Sequence, residues 1–152
     1  MILIKNEQEN IDFDSSTLKK QAEKILEHLG YQDSDLRILL TTNDEIQKYN
    51  REFRKKDKPT DILSFPYHTE LKAGDRIKPE VEEDKNLGDI IISLEFVKKD
   101  APERWSQTLE ERMPILLAHG ICHLLGYDHI KDEDYQIMKK QEETLLNQIF
   151  DS

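Results

Sequence analysis

Thr108 through His129 is the stretch that most restricts how this chain can fold. Thr108 and Glu111 have the spacing of a capping box, which marks a helix start. Behind them, Met113, Leu116, Leu117, Ile121 and Leu124 fall on one face of a helix. Ile115, Ala118, Cys122 and Leu125 cover much of the remaining circumference. A helix that is apolar nearly all round is buried, so the other elements must wrap around this one. Pro114 lies inside it and is expected to kink or restart the helix, because proline lacks the backbone donor.

The same helix carries chemistry. Five histidines occur in the chain, and three lie in His119-Gly-Ile-Cys-His-Leu-Leu-Gly-Tyr-Asp-His129. His119 and His123 are one helical turn apart, with Cβ atoms about 5–6 Å apart on one face. Zinc–nitrogen bonds of about 2.0–2.1 Å let two such imidazoles share one metal. Gly126 stops the helix at little conformational cost and lets His129 return as a third ligand. The glycine and the third histidine have the metzincin spacing, with one departure. Where that pattern places a glutamate after the first histidine, this chain has Gly120. Three protein ligands leave a coordination position open, the catalytic rather than the structural arrangement. Cys122 projects away from the two histidines and reads as a small buried hydrophobe, not a fourth ligand.

Composition narrows the function classes. The 152 residues, 36% of them hydrophobic, suffice for a single domain spanning residues 1–152. A net charge of −10 excludes a protein that coats nucleic acid non-specifically, so any nucleic-acid contact needs a local basic patch. One cysteine suits a reducing compartment. The N-terminus lacks a basic segment before an apolar run, and no stretch approaches the roughly 18 apolar residues of a membrane span. A cytoplasmic location with no membrane partner is expected.

In chain order, residues 2–5 read as a strand. Ser15 or Ser16 caps a helix carrying Leu18, Ala22, Ile25, Leu26 and Leu29, which Gly30 ends. Leu36, Ile38 and Leu40 alternate as in a strand. Thr42 and Glu45 form a capping box for a helix with Ile46, Tyr49 and Phe53 on one face. Arg51, Arg54, Lys55, Lys56 and Lys58 then make a basic cluster, which composition alone reads as a solvated helix C-terminus. Ile62 to Phe65 is a strand closed by Pro66, and Asp89 to Ser93 is another. The polar Tyr67–Asn86 connection between them reads as a mobile hairpin loop. Asp89 reads as a turn residue, and Asp128 as a carboxylate that orients a neighbouring histidine. A helix from about Ser93 fades by Pro102, and a last one from Asp132 carries Tyr135, Met138, Leu145 and Ile149.

Three of these segments carry a family resemblance: Arg54 through Thr60-Asp-Ile-Leu-Ser-Phe-Pro66, Leu87-Gly-Asp-Ile90, and His119 through His129. In that order they resemble the motifs of the YbeY family of bacterial endoribonucleases, ribosomal RNA maturation factors. Cys122 stands where the family usually has leucine. The resemblance implies an α+β fold with a small mixed four-stranded sheet packed by helices and a zincin-like metal helix. It implies one Zn²⁺ per chain on His119, His123 and His129. It implies single-strand-specific RNA cleavage in 3′-end maturation of small-subunit ribosomal RNA and in ribosome quality control. The partners it implies are single-stranded RNA and the small ribosomal subunit, not DNA. It makes His119 and Arg54 catalytic residues, with Arg54 on substrate phosphate. Two other readings of the metal spacing remain open: a metallopeptidase, and a non-enzymatic assembly factor with a structural metal.

Overall fold

The computed structural model describes residues 1–150. Its elements run β1 (Ile2–Asn6), α1 (Ser15–Leu29), β2 (Asp35–Thr41), α2 (Asn43–Arg54), β3 (Ile62–Pro66), β4 (Asn86–Ser93), α3 (Leu94–Trp105), α4 (Leu109–Leu124) and α5 (Asp132–Phe150). The strands form one mixed sheet in the order β1-β2-β4-β3. β1, β2 and β4 are parallel, and β3 runs antiparallel along the edge beside β4. This is the small mixed sheet and α+β class that the resemblance implies.

Strand side chains alternate between the two faces of a sheet, and here both faces are used unequally. Leu36, Ile38 and Leu40 of β2 and Ile90 and Ile92 of β4 join one large core with α1, α3, α4 and α5. Leu63 and Ile91 point the other way, into a small cluster beneath Ile46 of α2, flanked by half-buried Leu39, Tyr49 and Phe65. Phe53, expected to pack inward, is 56% exposed at the end of α2.

α4 is the buried element that its composition requires: Leu117, Ala118, Ile121, Cys122 and Leu124 are all fully buried. Thr108 accepts from Glu111 N, and the Glu111 carboxylate accepts from Thr108 N, so the capping box is complete. α4 runs without interruption through Pro114, so the proline does not restart the helix. Met113, Leu116 and Leu117 anchor both sides of the proline in the core, which holds the turn through the lost backbone bond. Pro102 likewise sits inside α3, which runs on to Trp105 because Ala101 is buried and the left-handed Ser106 closes the end onto Ala101 O.

Three local expectations are corrected. Asp14, not Ser15 or Ser16, caps α1, since its carboxylate accepts from Ser16 N, Ser16 Oγ and Thr17 Oγ1. At α2 only half of the box forms: Thr42 accepts from Glu45 N, while the Glu45 carboxylate pairs with Lys48. The Tyr67–Asn86 connection joins antiparallel β3 and β4 as expected, but it is tied to the body rather than free. Ile77 is buried, its N–H donates to Tyr31 Oη, and the Arg76 guanidinium lies 4.4 Å over the Tyr31 ring.

Candidate functional site

The polar side of α4 and the turn after it bring three histidines together. α4 ends at Leu124, and Gly126 takes a φ of +95°, a left-handed conformation that glycine enters freely. A Cβ there would stand 2.5 Å from Leu71 O, so the hairpin connection packs directly on this turn. The turn carries the chain back so that the His129 ring lies 5.5 Å from that of His119 and 5.1 Å from that of His123, centroid to centroid. The donor nitrogens of all three lie within 4.8 Å of one another.

The outer nitrogens of two rings are fixed by the surrounding fold. His123 Nδ1 lies 3.0 Å from Tyr127 O, and a carbonyl only accepts, so this nitrogen carries the hydrogen. His119 Nδ1 lies 3.0 Å from Glu142 Oε1 on α5. With Nδ1–H donating in both rings, the Nε2 lone pairs face each other across 3.1 Å. Two lone pairs at that separation repel unless a cation stands between them. Tetrahedral zinc with bonds of about 2.0–2.1 Å would put its nitrogens about 3.3 Å apart. Burial, followed by the neighbouring His119 and His129, pushes the His123 imidazole down to about 4, which keeps it neutral and able to ligate. The residues therefore fit a divalent metal held by imidazole nitrogen.

Cys122 stands apart from this cluster, fully buried, and burial pushes its thiol well above the ordinary range. It is the packing residue that its helical position indicates. Asp128 does not orient a histidine. Its Oδ1 accepts from Ile130 N instead, closing the turn that presents His129. Glu142 takes the orienting role, and sequence spacing gave no sign of it, since α5 returns it to α4 across 23 residues. Asp89 is neither a turn residue nor part of the site. It lies within β4 and pairs at 2.9 Å with Arg37 on β2, beside the face that α2 covers only in part.

Gly120 has a physical reason. A Cβ on it would stand 3.0 Å from the side-chain ends of both Ile62 and Ile90 and 3.3 Å from Ser64 Oγ. This point on α4 lies against β3 and β4, and the helix needs the missing side chain to pack there. A glutamate at this position would be driven into the sheet.

The histidines open onto a groove of about 730 Å³. His119, His123 and His129 lie on one side, and Arg54, Lys56 and Lys58 line the same groove. Three residues of the basic cluster are thus brought to the histidines, while Arg51 pairs with Asp57. Arg54 is the last residue of α2, and left-handed Lys55 turns the chain away after it. Its Nη2 donates to Ser64 O at 2.7 Å, and its guanidinium lies 5.6 Å over the Phe65 ring. One edge of the guanidinium is anchored to β3, and the group remains exposed.

The family model described as Endoribonuclease YbeY matches residues 3–150. The chain belongs to this family. A relative named Endoribonuclease YbeY in Homo sapiens is 34% identical over 97% of this chain and 87% of its own. One of the same name from Fusobacterium nucleatum is 40% identical over 89% of this chain and 81% of its own. A solution structure from Thermotoga maritima superimposes with a TM-score of 0.64 at 27% identity, covering 99% of this chain and 90% of that one. No helix among the described residues is long and apolar enough to cross a membrane.

Proposed function

We propose that this protein is a metal-dependent endoribonuclease that cuts single-stranded RNA, with His119, His123 and His129 holding one Zn²⁺ per chain. The observation that carries the reading is the juxtaposition of the histidine cluster with Arg54, Lys56 and Lys58 in one groove. In a chain of net charge −10, that local excess of cations marks where a polyanion is received. When bound, a metal with an open coordination position supplies Lewis-acid and water-activating chemistry. The chain's own residues do the rest. Arg54, held by Ser64 O, offers its remaining donors to a phosphate in a fixed orientation. Lys56 and Lys58 draw in the flanking backbone. Glu142 and Tyr127 O hold two imidazoles so that their Nε2 atoms converge.

Membership of the family supports a place for this activity in ribosome biogenesis. The substrate we assign is small-subunit ribosomal RNA near its 3′ end, with the small ribosomal subunit as partner and the cytoplasm as location. The peptidase reading has against it that the position of the peptidase glutamate is Gly120, packed on the sheet. The test is incubation of zinc-loaded and chelator-treated protein with labelled single-stranded RNA, duplex RNA and casein. Only the loaded protein should cut, only the single strand should be cut, and the treated protein should keep its circular dichroism. Casein cleavage at a comparable rate would overturn the assignment, and unfolding on chelation would make the metal a structural staple.

A further inference from the structure

A second groove, of about 580 Å³, adjoins the first and shares Asp61, Ile62, His119 and His129 with it. Its far wall is built from the end of α3, the first turn of α4 and the start of α5. Trp105, the only tryptophan in the chain, closes α3 and stays 45% exposed. The Arg112 guanidinium lies 4.1 Å from its ring centroid, and that of Arg104 lies 5.4 Å away. Tyr135 on α5 is also 45% exposed and has Lys139 at 6.0 Å. Among the described residues, Arg104, Arg112 and Lys139 are not ion-paired with any carboxylate.

Exposed aromatic rings interleaved with uncommitted cations are what an unpaired nucleotide needs. Every base offers a π-face, so stacking tolerates any sequence but requires that the base be free of a duplex. The Arg112 guanidinium lies over the ring, so a base stacks on the part of the indole that stays exposed, and the guanidinium donors stand next to it for the adjoining phosphate. The groove meets the cluster through His119 and His129, whereas Arg54 belongs to the first groove alone. A strand crossing the histidines therefore has a phosphate-binding wall in one groove and a base-binding wall in the other.

We propose that Trp105, flanked by Arg104 and Arg112 and assisted by Tyr135, is a stacking platform for an unpaired base next to the cleaved phosphate of single-stranded RNA. This rests on the nuclease reading above and adds to it a device that selects single strands.

The lone indole makes the proposal directly measurable. A short single-stranded RNA with a terminal dye is titrated into the full-length protein, with chelator present to stop cleavage. Indole emission and dye anisotropy are read together. Indole quenching should saturate along the same curve as binding. Trp105→Phe should bind close to the parent, and Trp105→Ala roughly 5- to 150-fold more weakly, the range of one lost stacking partner. An RNA of the same length made of abasic residues should lose a similar factor against the parent and should not distinguish Trp105→Ala from it. The comparison of intact with abasic RNA on the parent alone needs no variant, so a misfolded Trp105→Ala leaves the test intact. If RNA is bound, and cut once metal is restored, with unchanged emission and no discrimination against the abasic strand, the platform is overturned and the nuclease reading stands. If the parent neither binds RNA nor cuts it when loaded, the nuclease reading fails, and the platform with it.

Discussion

Glu142 and Arg54 make opposite demands on a side chain, and substitution should separate them. Glu142 acts through His119, whose Nδ1 it fixes at 3.0 Å. Replacing it with alanine should leave the fold in place and weaken metal binding about 10- to 100-fold, the usual cost of losing a partner that orients a ligand. Competition with a chromophoric chelator would show this, and Glu142→Gln should fall between the two because an amide oxygen still accepts. The proposed function assigns Arg54 to the substrate. Arg54→Ala should keep full metal content and lose roughly 10²–10³ in single-turnover RNA cleavage, as expected when one transition-state donor is removed. Arg54→Lys should recover little of this, since an ammonium group cannot keep the Ser64 anchor and also offer a planar pair of donors to phosphate. The three histidines were readable from spacing alone because one helical turn and one glycine determine their convergence. Glu142 and the true place of Asp128 were not, because both depend on how α5 and the turn pack in three dimensions.

Among the elements, α4 carries both a large share of the core and two of the three clustered histidines. It packs tightly at Gly120, where a side chain would meet Ile62, Ile90 and Ser64. Gly120→Glu should therefore cost on the order of 3 kcal/mol, combining overpacking with a charge forced against apolar strands. Urea unfolding of the metal-loaded variant and parent would measure it. The same variant should gain no proteolytic activity, because the carboxylate points toward the sheet. Helix identities and burial were legible from periodicity: β2, α1 and α4 bury the residues that alternation or helical spacing selects, with Leu29 of α1 only half-buried. Pro102 misled, since it suggests a helix end that buried neighbours override, and Pro114 does not restart α4. The basic cluster after α2 misled in the other direction. Its composition is that of a helix end, and only the position of β3 beside α4 turns Arg54 toward the histidines.

For the molecule as a whole, the sheet serves as a rigid wall. α4 lies along β3 and β4 with His119 and His123, α2 ends at Arg54 beside β3, and the groove between them is the proposed catalytic centre. A net charge of −10 works against indiscriminate polyanion binding, so this groove and the adjoining one at Trp105 are the proposed points of encounter. The central claim is that one metal on three histidines drives RNA cleavage. Its most direct test is a zinc titration of metal-free protein, with bound metal and single-turnover cleavage of single-stranded RNA followed in the same samples. Cleavage should rise in proportion to occupancy and level off at one zinc per chain, and His123→Ala should neither bind that zinc nor cut. Cleavage by metal-free protein, or full activity in a His123→Ala variant with undiminished zinc content, would contradict the account.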